Sequence, residues 1–176
     1  MTNLIKSGDE RGLTLVEALV SLVVLSLGLI PSLAILTSST RISALIKNNL
    51  IAANLAQEGI EVVRAVRDSN WFAAGNPPFY RYLVDCGGPT TCNWRVAWDT
   101  NGPLLALGTN PPLKFDSATG TYNYSTGIDT GFKRVITVTK VVSPCDCELK
   151  VISRVEWIRY GVVRTQEVES HLFDWK

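Results

Sequence analysis

The sequence holds a single histidine, His171, in 176 residues. A Ser-His-Asp or Cys-His device would rest on that residue alone. It lies in an alternating, strand-like stretch and reads as an exposed or hydrogen-bonded strand residue. An excess of charge is also missing: 17 basic and 16 acidic residues leave a formal net charge of +1. No strongly basic face follows from that balance, which argues against a nucleic-acid binder. Internal repeats and low-complexity tracts are absent, and the loops "GNPPFY" and "GTNPP" lack the pattern of a phosphate cradle. No catalytic constellation, cofactor site or metal site is expected.

Charge is scarcest between Leu13 and Leu36, where Glu17 stands alone. About 24 largely apolar residues follow the polar segment 1–12, enough at 1.5 Å per residue to cross roughly 30 Å of hydrocarbon. A secretory signal would have a shorter apolar core and a small-residue cleavage site. The segment is expected to span a membrane. A lone acid in such a span costs several kcal/mol and usually marks a function with a nameable partner. The plainer alternative places Glu17 near the membrane surface, reaching water. Gly28 and Pro31 interrupt the run, and Pro31 predicts a kink or a locally melted turn.

Cysteine is absent from the first 85 residues. Cys86, Cys92, Cys145 and Cys147 all lie beyond the apolar run, which points to disulfides in an oxidising compartment. A four-thiolate zinc site is the rival, but the spacings C-x5-C and C-x-C fit it poorly. Pairing Cys86 with Cys92 would close the turn-rich loop "CGGPTTC". It would leave Cys145 and Cys147 as a strained pair, so cross-pairing between the two regions stays open.

From Arg41 to Asn70 the apolar residues Ile42, Leu45, Ile46, Ala53, Ala56, Ile60, Val63 and Val66 recur at helical spacing. The opposite side carries Lys47, Asn48, Asn54, Glu58, Glu61 and Arg64. The helix is expected to end near "DSNW", at 68–71. Beyond Trp71, turn clusters separate β-type runs at 81–85, 93–99, 113–116, 121–125, 133–142, 149–161 and 162–175. Leu149, Val151, Val155 and Trp157 share one face of the longest run, and Gly161 reads as a hairpin turn. Short connections predict a meander of antiparallel strands. Trp71, Trp94, Trp98, Trp157 and Trp175 read as core and sheet-face residues rather than a carbohydrate platform. Asp146 reads as a turn residue, and Asn123-Tyr-Ser125 fits a glycosylation triplet.

The fold class is therefore α+β, a long N-terminal helix packed against a C-terminal antiparallel β-sheet head. Four regions are expected: 1–12 a leader, 13–40 an apolar membrane-spanning or filament-core half-helix, 41–70 an amphipathic half, and 71–176 the head.

"RGLTLVE", residues 11–17, resembles the processing motif of the type IV pilin superfamily: a basic-flanked Gly, a hydrophobic residue, Thr, two aliphatics and Glu, heading a long apolar helix. The resemblance implies cleavage after Gly12 by a prepilin peptidase and methylation of the new amino terminus at Leu13. It implies that Glu17 pairs with the terminal amine of a neighbouring subunit during assembly. "TLVEALVSLVVLSLGLI" is most similar to minor pilins of the PilV kind, and "NLAQEGIEVVRAVRDSNW" is similar to the helix end of some of them.

The implied function is a non-enzymatic minor pilin, held in the inner membrane by one span with its head outside, then moved into a pilus or pseudopilus. Its implied partners are other pilin subunits through the N-terminal helix, the prepilin peptidase and the inner-membrane assembly platform. The alternatives are a type II secretion pseudopilin and a permanently anchored extracytoplasmic ligand-binding domain.

Overall fold

The computed structural model describes residues 14–87, 90–100, 103–142 and 147–174. Helix α1 (Leu15–Phe72) comes first, followed by eight strands: β1 (Thr91–Arg95), β2 (Leu105–Ala106), β3 (Lys114–Asp116), β4 (Thr121–Asn123), β5 (Ile128–Asp129), β6 (Lys133–Val141), β7 (Glu148–Arg159) and β8 (Val162–Phe173). The chain divides into two compact units, one reaching Ile46 and one running from Lys47.

In the first unit α1 is apolar all round. Its large side chains from Leu15 to Leu36 are between 56 and 78 % exposed. The helical assignment runs through Pro31, so the locally melted turn expected there does not occur. Pro31 removes one donor from the ladder, while the neighbouring Ser32 hydroxyl donates to the Gly28 carbonyl at 2.7 Å.

In the second unit the helix buries Ala52, Leu55, Ala56, Gly59, Ile60, Val62, Val63 and Val66. They pack on a five-stranded antiparallel sheet of order β2-β1-β6-β7-β8; a three-stranded sheet, β4-β3-β5, stands beside it. Alternation decides which side chains meet the helix: Ile136 and Val138 on β6, and Leu149, Val151, Val155 and Trp157 on β7, are all buried. Two clusters form along the helix. One joins Ala52, Leu55 and Ala56 to Leu113, Phe132, Val155 and Trp157. The other joins Ile60, Val63 and Val66 to Val138, Leu149, Val151 and Leu172. At Gly59 helix and sheet approach closely: a Cβ there would lie 2.6 Å from Ile136 Cδ1 and 2.7 Å from Ser153 Oγ.

Several expected elements shift. α1 continues to Phe72, past the turn-forming Asp68-Ser69-Asn70, because Asn70 points inward: its amide donates to the carbonyls of Phe79 at 3.0 Å and Arg81 at 2.8 Å. Residues 81–85 form turns instead of a strand. Tyr82 has a φ of 67°, and its N–H donates to the Asp85 carboxylate. The short strands β2 and β5 were not expected, since two residues carry no readable period. The hairpin at Gly161 is present: Arg159 pairs with Val162, and Tyr160 (φ 51°) and Gly161 (φ 74°) form its two-residue turn. Strands β6, β7 and β8 form the expected meander, but β1 joins β6 on the other side, so the head is not one simple meander.

Candidate assembly site

The helix starts at Thr14. Its carbonyl accepts from the Ala18 N–H at 3.1 Å, and its hydroxyl accepts from the Glu17 N–H at 3.2 Å. Thr14 is thus the N-cap and Glu17 the third helical residue, the Thr-x-x-Glu order of a capping box. Glu17 also sits in the first turn, where the positive end of the helix favours an anion. Its side chain is exposed, and its carboxylate has no partner among the described residues. Gly12 and Leu13 lie outside the described residues.

Behind this acid the helix wall offers little polarity sideways. The hydroxyls of Ser26, Ser32, Thr37, Ser38 and Thr40 donate back to carbonyls three or four residues earlier, at 2.7 to 3.0 Å. Among the described residues the unit therefore presents one carboxylate above a largely apolar cylinder, five of whose hydroxyls bond back to the helix. An 18-residue window of it reaches a mean hydropathy of 2.5 and is 0 % buried within the chain. Such a surface is stable against lipid or against other apolar helices.

Residues 8–33 match the family model of the prokaryotic N-terminal methylation motif. The chain carries the prepilin N-terminus of the type IV pilin superfamily. That motif is the substrate of prepilin peptidase and the assembly element of a structural family, and the exposed apolar helix fits a membrane-anchored pilin. No curated protein and no solved structure matches the chain significantly.

In the head, Cys86 and Cys92 are joined by a disulfide across a Cα–Cα distance of 5.7 Å. Cys147 is also disulfide-bonded, while Cys145 and Asp146 lie outside the described residues. Cross-pairing of Cys86 or Cys92 with the distal region is thereby excluded, as is a zinc site using their thiolates.

His171 stands between two carboxylates, with Nδ1 against Glu148 and Nε2 3.0 Å from Glu169. The hydrogen bonds to Glu148 and then Glu169 push its pKa up. Trp94 and Trp157 are buried, Trp71 is half-buried and Trp98 is exposed, so Trp94 and Trp98 do not form a paired aromatic platform. Asn123 is buried, and its side-chain oxygen accepts from the N–H groups of Ser125 and Thr126. It is a turn-builder in this fold.

Sequence reasoning missed two residues. Thr14 is a cap whose signal, Thr-x-x-Glu at 14–17, was legible. Arg134 is a fully buried cation on the inward face of β6. Its signal was a charge in step with Ile136 and Val138, where the alternation calls for an apolar residue. Glu58, assigned to the helix's polar side, is drawn half inward to meet it.

Proposed function

We propose that the protein is a minor pilin: a non-enzymatic filament subunit cut after Gly12, methylated at Leu13 and assembled through residues 13–40. Before assembly one span holds it in the inner membrane with its head outside; afterwards it sits in a pilus with other pilin subunits. The observation that carries this reading is the Glu17 carboxylate, without a partner among the described residues, at the head of an apolar helical segment that the described residues leave uncovered.

In an apolar filament core, an isolated carboxylate and an isolated ammonium are each costly, and together they offset one another. Glu17 would accept from the methylated amine that processing creates at Leu13 of a neighbouring subunit. The pair sets axial register, as single buried polar groups do in coiled coils. Residues 18–36 exchange lipid for neighbouring helices as the assembly platform draws the subunit in.

The test is intact-mass and N-terminal analysis of the protein from host membranes and from sheared surface filaments. A methylated chain beginning at Leu13 in the filament fraction is the expected result. An unprocessed chain in cells with active prepilin peptidase overturns the reading. A processed chain confined to the cell envelope indicates a secretion pseudopilin instead.

A further inference from the structure

Strand β8 forms one edge of the five-stranded sheet and pairs with β7 along its whole length, from Val162 opposite Arg159 to Phe173 opposite Glu148. Among the described residues no strand covers its other side. Just past β8 the Asp174 N–H donates to the Cys147 carbonyl at 2.8 Å. Even-numbered residues therefore bond toward β7, and neighbours along the strand alternate. Lys140, opposite Leu149, donates away from β7 to the Thr90 carbonyl, which leaves Leu149 to bond with Leu172 and fixes the same parity. The odd-numbered residues from Val163 to Phe173 thus turn their N–H and C=O groups outward from the sheet. The Gln166 side-chain amide reaches one of those carbonyls, that of Glu167, and only at 3.4 Å.

Sheets usually blunt such an edge with proline, a bulge, short length or an inward-pointing charge. β8 spans 12 residues with no proline and no break in register. Its helix-facing positions from 166 to 172 hold Gln166, Val168, Ser170 and Leu172, none of them charged. Between this stretch and the helix lies a groove of about 240 Å³, with Ile60 and Val168 as its apolar floor and Gln57, Glu61, Arg64 and Ser170 around it. On an added strand, the side chain opposite Val168 would point to the helix side and enter that groove.

We infer that β8 is a docking edge for an extended segment of a partner protein, one with basic residues at two alternate positions and an aliphatic residue between them. The outward row of the edge includes Glu167 and Glu169, both exposed, while the cations that meet them, Arg154 and Lys150, stand one strand further in on β7. An added strand sets its own side chains about 5 Å from this acidic pair, where lysine or arginine is favoured. A second copy of β8 fits badly, because any two-fold pairing centred on residue 167, 168 or 169 puts glutamate directly against glutamate. Backbone bonds supply the affinity, and the acidic row and the groove supply the selectivity. The edge lies wholly within the head, so docking is independent of how the apolar segment is processed.

The test uses the full chain in dodecyl maltoside micelles and a labelled synthetic peptide, Thr-Val-Lys-Val-Lys-Val-Thr. Its lysines would lie opposite Glu167 and Glu169 and its central valine opposite Val168, in either strand direction. Fluorescence anisotropy should show saturable binding. Methylating both lysine backbone nitrogens removes the pairing donors but keeps the charge, and should weaken binding at least about tenfold. Glutamate in place of both lysines should weaken it at least about threefold. The bound peptide should slow hydrogen exchange of the Glu167 and Glu169 amides at least about tenfold. No saturable binding below about 1 mM peptide, equal binding by the methylated peptide, or unchanged exchange at 167 and 169 overturns the docking edge. Equal binding by the glutamate peptide overturns the basic partner. Slow exchange at 167 and 169 that appears without peptide and grows with protein concentration assigns the edge to a second copy and also overturns it.

Discussion

The Arg134 guanidinium lies 3.0 Å from the Glu58 carboxylate, with the arginine side chain fully buried and the glutamate about one-third exposed. The same guanidinium donates to the Leu55 carbonyl of the helix at 2.8 Å and to the Val96 carbonyl beyond β1 at 2.6 Å. One side chain on β6 thus fastens the helix and two parts of the sheet layer. Each contact satisfies an acceptor that the packed interior would otherwise leave short of a donor.

Replacing Arg134 with Met keeps the volume and strips both carbonyls of a donor. The expected loss of head stability is about 3 kcal/mol, the scale for breaking a buried charged network from one side. Glu58→Gln leaves the two carbonyl contacts in place and should cost only about 1 kcal/mol, since its carboxylate is partly solvated. Denaturant unfolding of both variants checks the order. Equal losses would mean that the ion pair, and not the carbonyl contacts, holds the junction.

Gly59 gives a second test of the same interface. Alanine improves helix propensity by about 1 kcal/mol in an open helix. Here its Cβ would press on Ile136 Cδ1 at 2.6 Å and Ser153 Oγ at 2.7 Å. Overpacking should win, and Gly59→Ala should destabilise the head by about 1–3 kcal/mol. A raised Tm would show that Ile136 and Ser153 move aside freely.

The helix, the longer strands and the prepilin motif were legible because each rests on a repeating or contiguous pattern. Leu149, Val151, Val155 and Trp157 repeat at the strand period and are buried together. Residues 81–85, "RYLVD", have strand-like composition, yet Asp85 captures the Tyr82 N–H from within the segment, and Asn70 takes the Arg81 carbonyl from outside any local window. The cap at Thr14 was in plain view, overshadowed by the question that Glu17 raises in an apolar run. Arg134 was hidden for a different reason: its partners Leu55 and Val96 are far off in sequence, and only the helix–sheet layer brings them together.

His171 should make head stability pH-dependent. Its ring meets Glu148 on β7 and Glu169 on its own strand, while Lys150 lies directly opposite and pairs with Glu169. The hydrogen bonds to Glu148 and Glu169 raise the His171 pKa above 6.5. A raised pKa means that the folded state favours the imidazolium. The contribution is fully present below the unfolded pKa of about 6.5 and fades as pH rises through the folded value. Glu169 works in the other sense. Hydrogen bonds from Lys150 and then His171 lower its pKa below 4.5, so its share is lost in acid. Thermal melts across pH 5 to 9 should show Tm falling on the alkaline side of about pH 6.5. His171→Gln should flatten that limb, and an unchanged limb would remove the histidine from the account.

Thr14 and Glu17 combine two roles that substitution can separate. Thr14→Ala removes the cap hydroxyl but keeps the carboxylate, and should weaken the helix start by about 1 kcal/mol. Glu17→Gln keeps a side chain able to complete a capping box while removing the charge. If pairing with a neighbour's terminal amine sets register, Glu17→Gln loses filament incorporation by about tenfold or more, equivalent to ~1.4 kcal/mol per subunit. Thr14→Ala then retains most of it. Both variants should remain membrane-inserted, because the apolar wall from Leu19 to Leu36 is untouched. Quantitative immunoblotting of sheared filaments against membranes reads the difference. Equal incorporation by the Glu17→Gln variant and the parent would reduce Glu17 to a helix-capping residue and leave subunit register to the apolar wall.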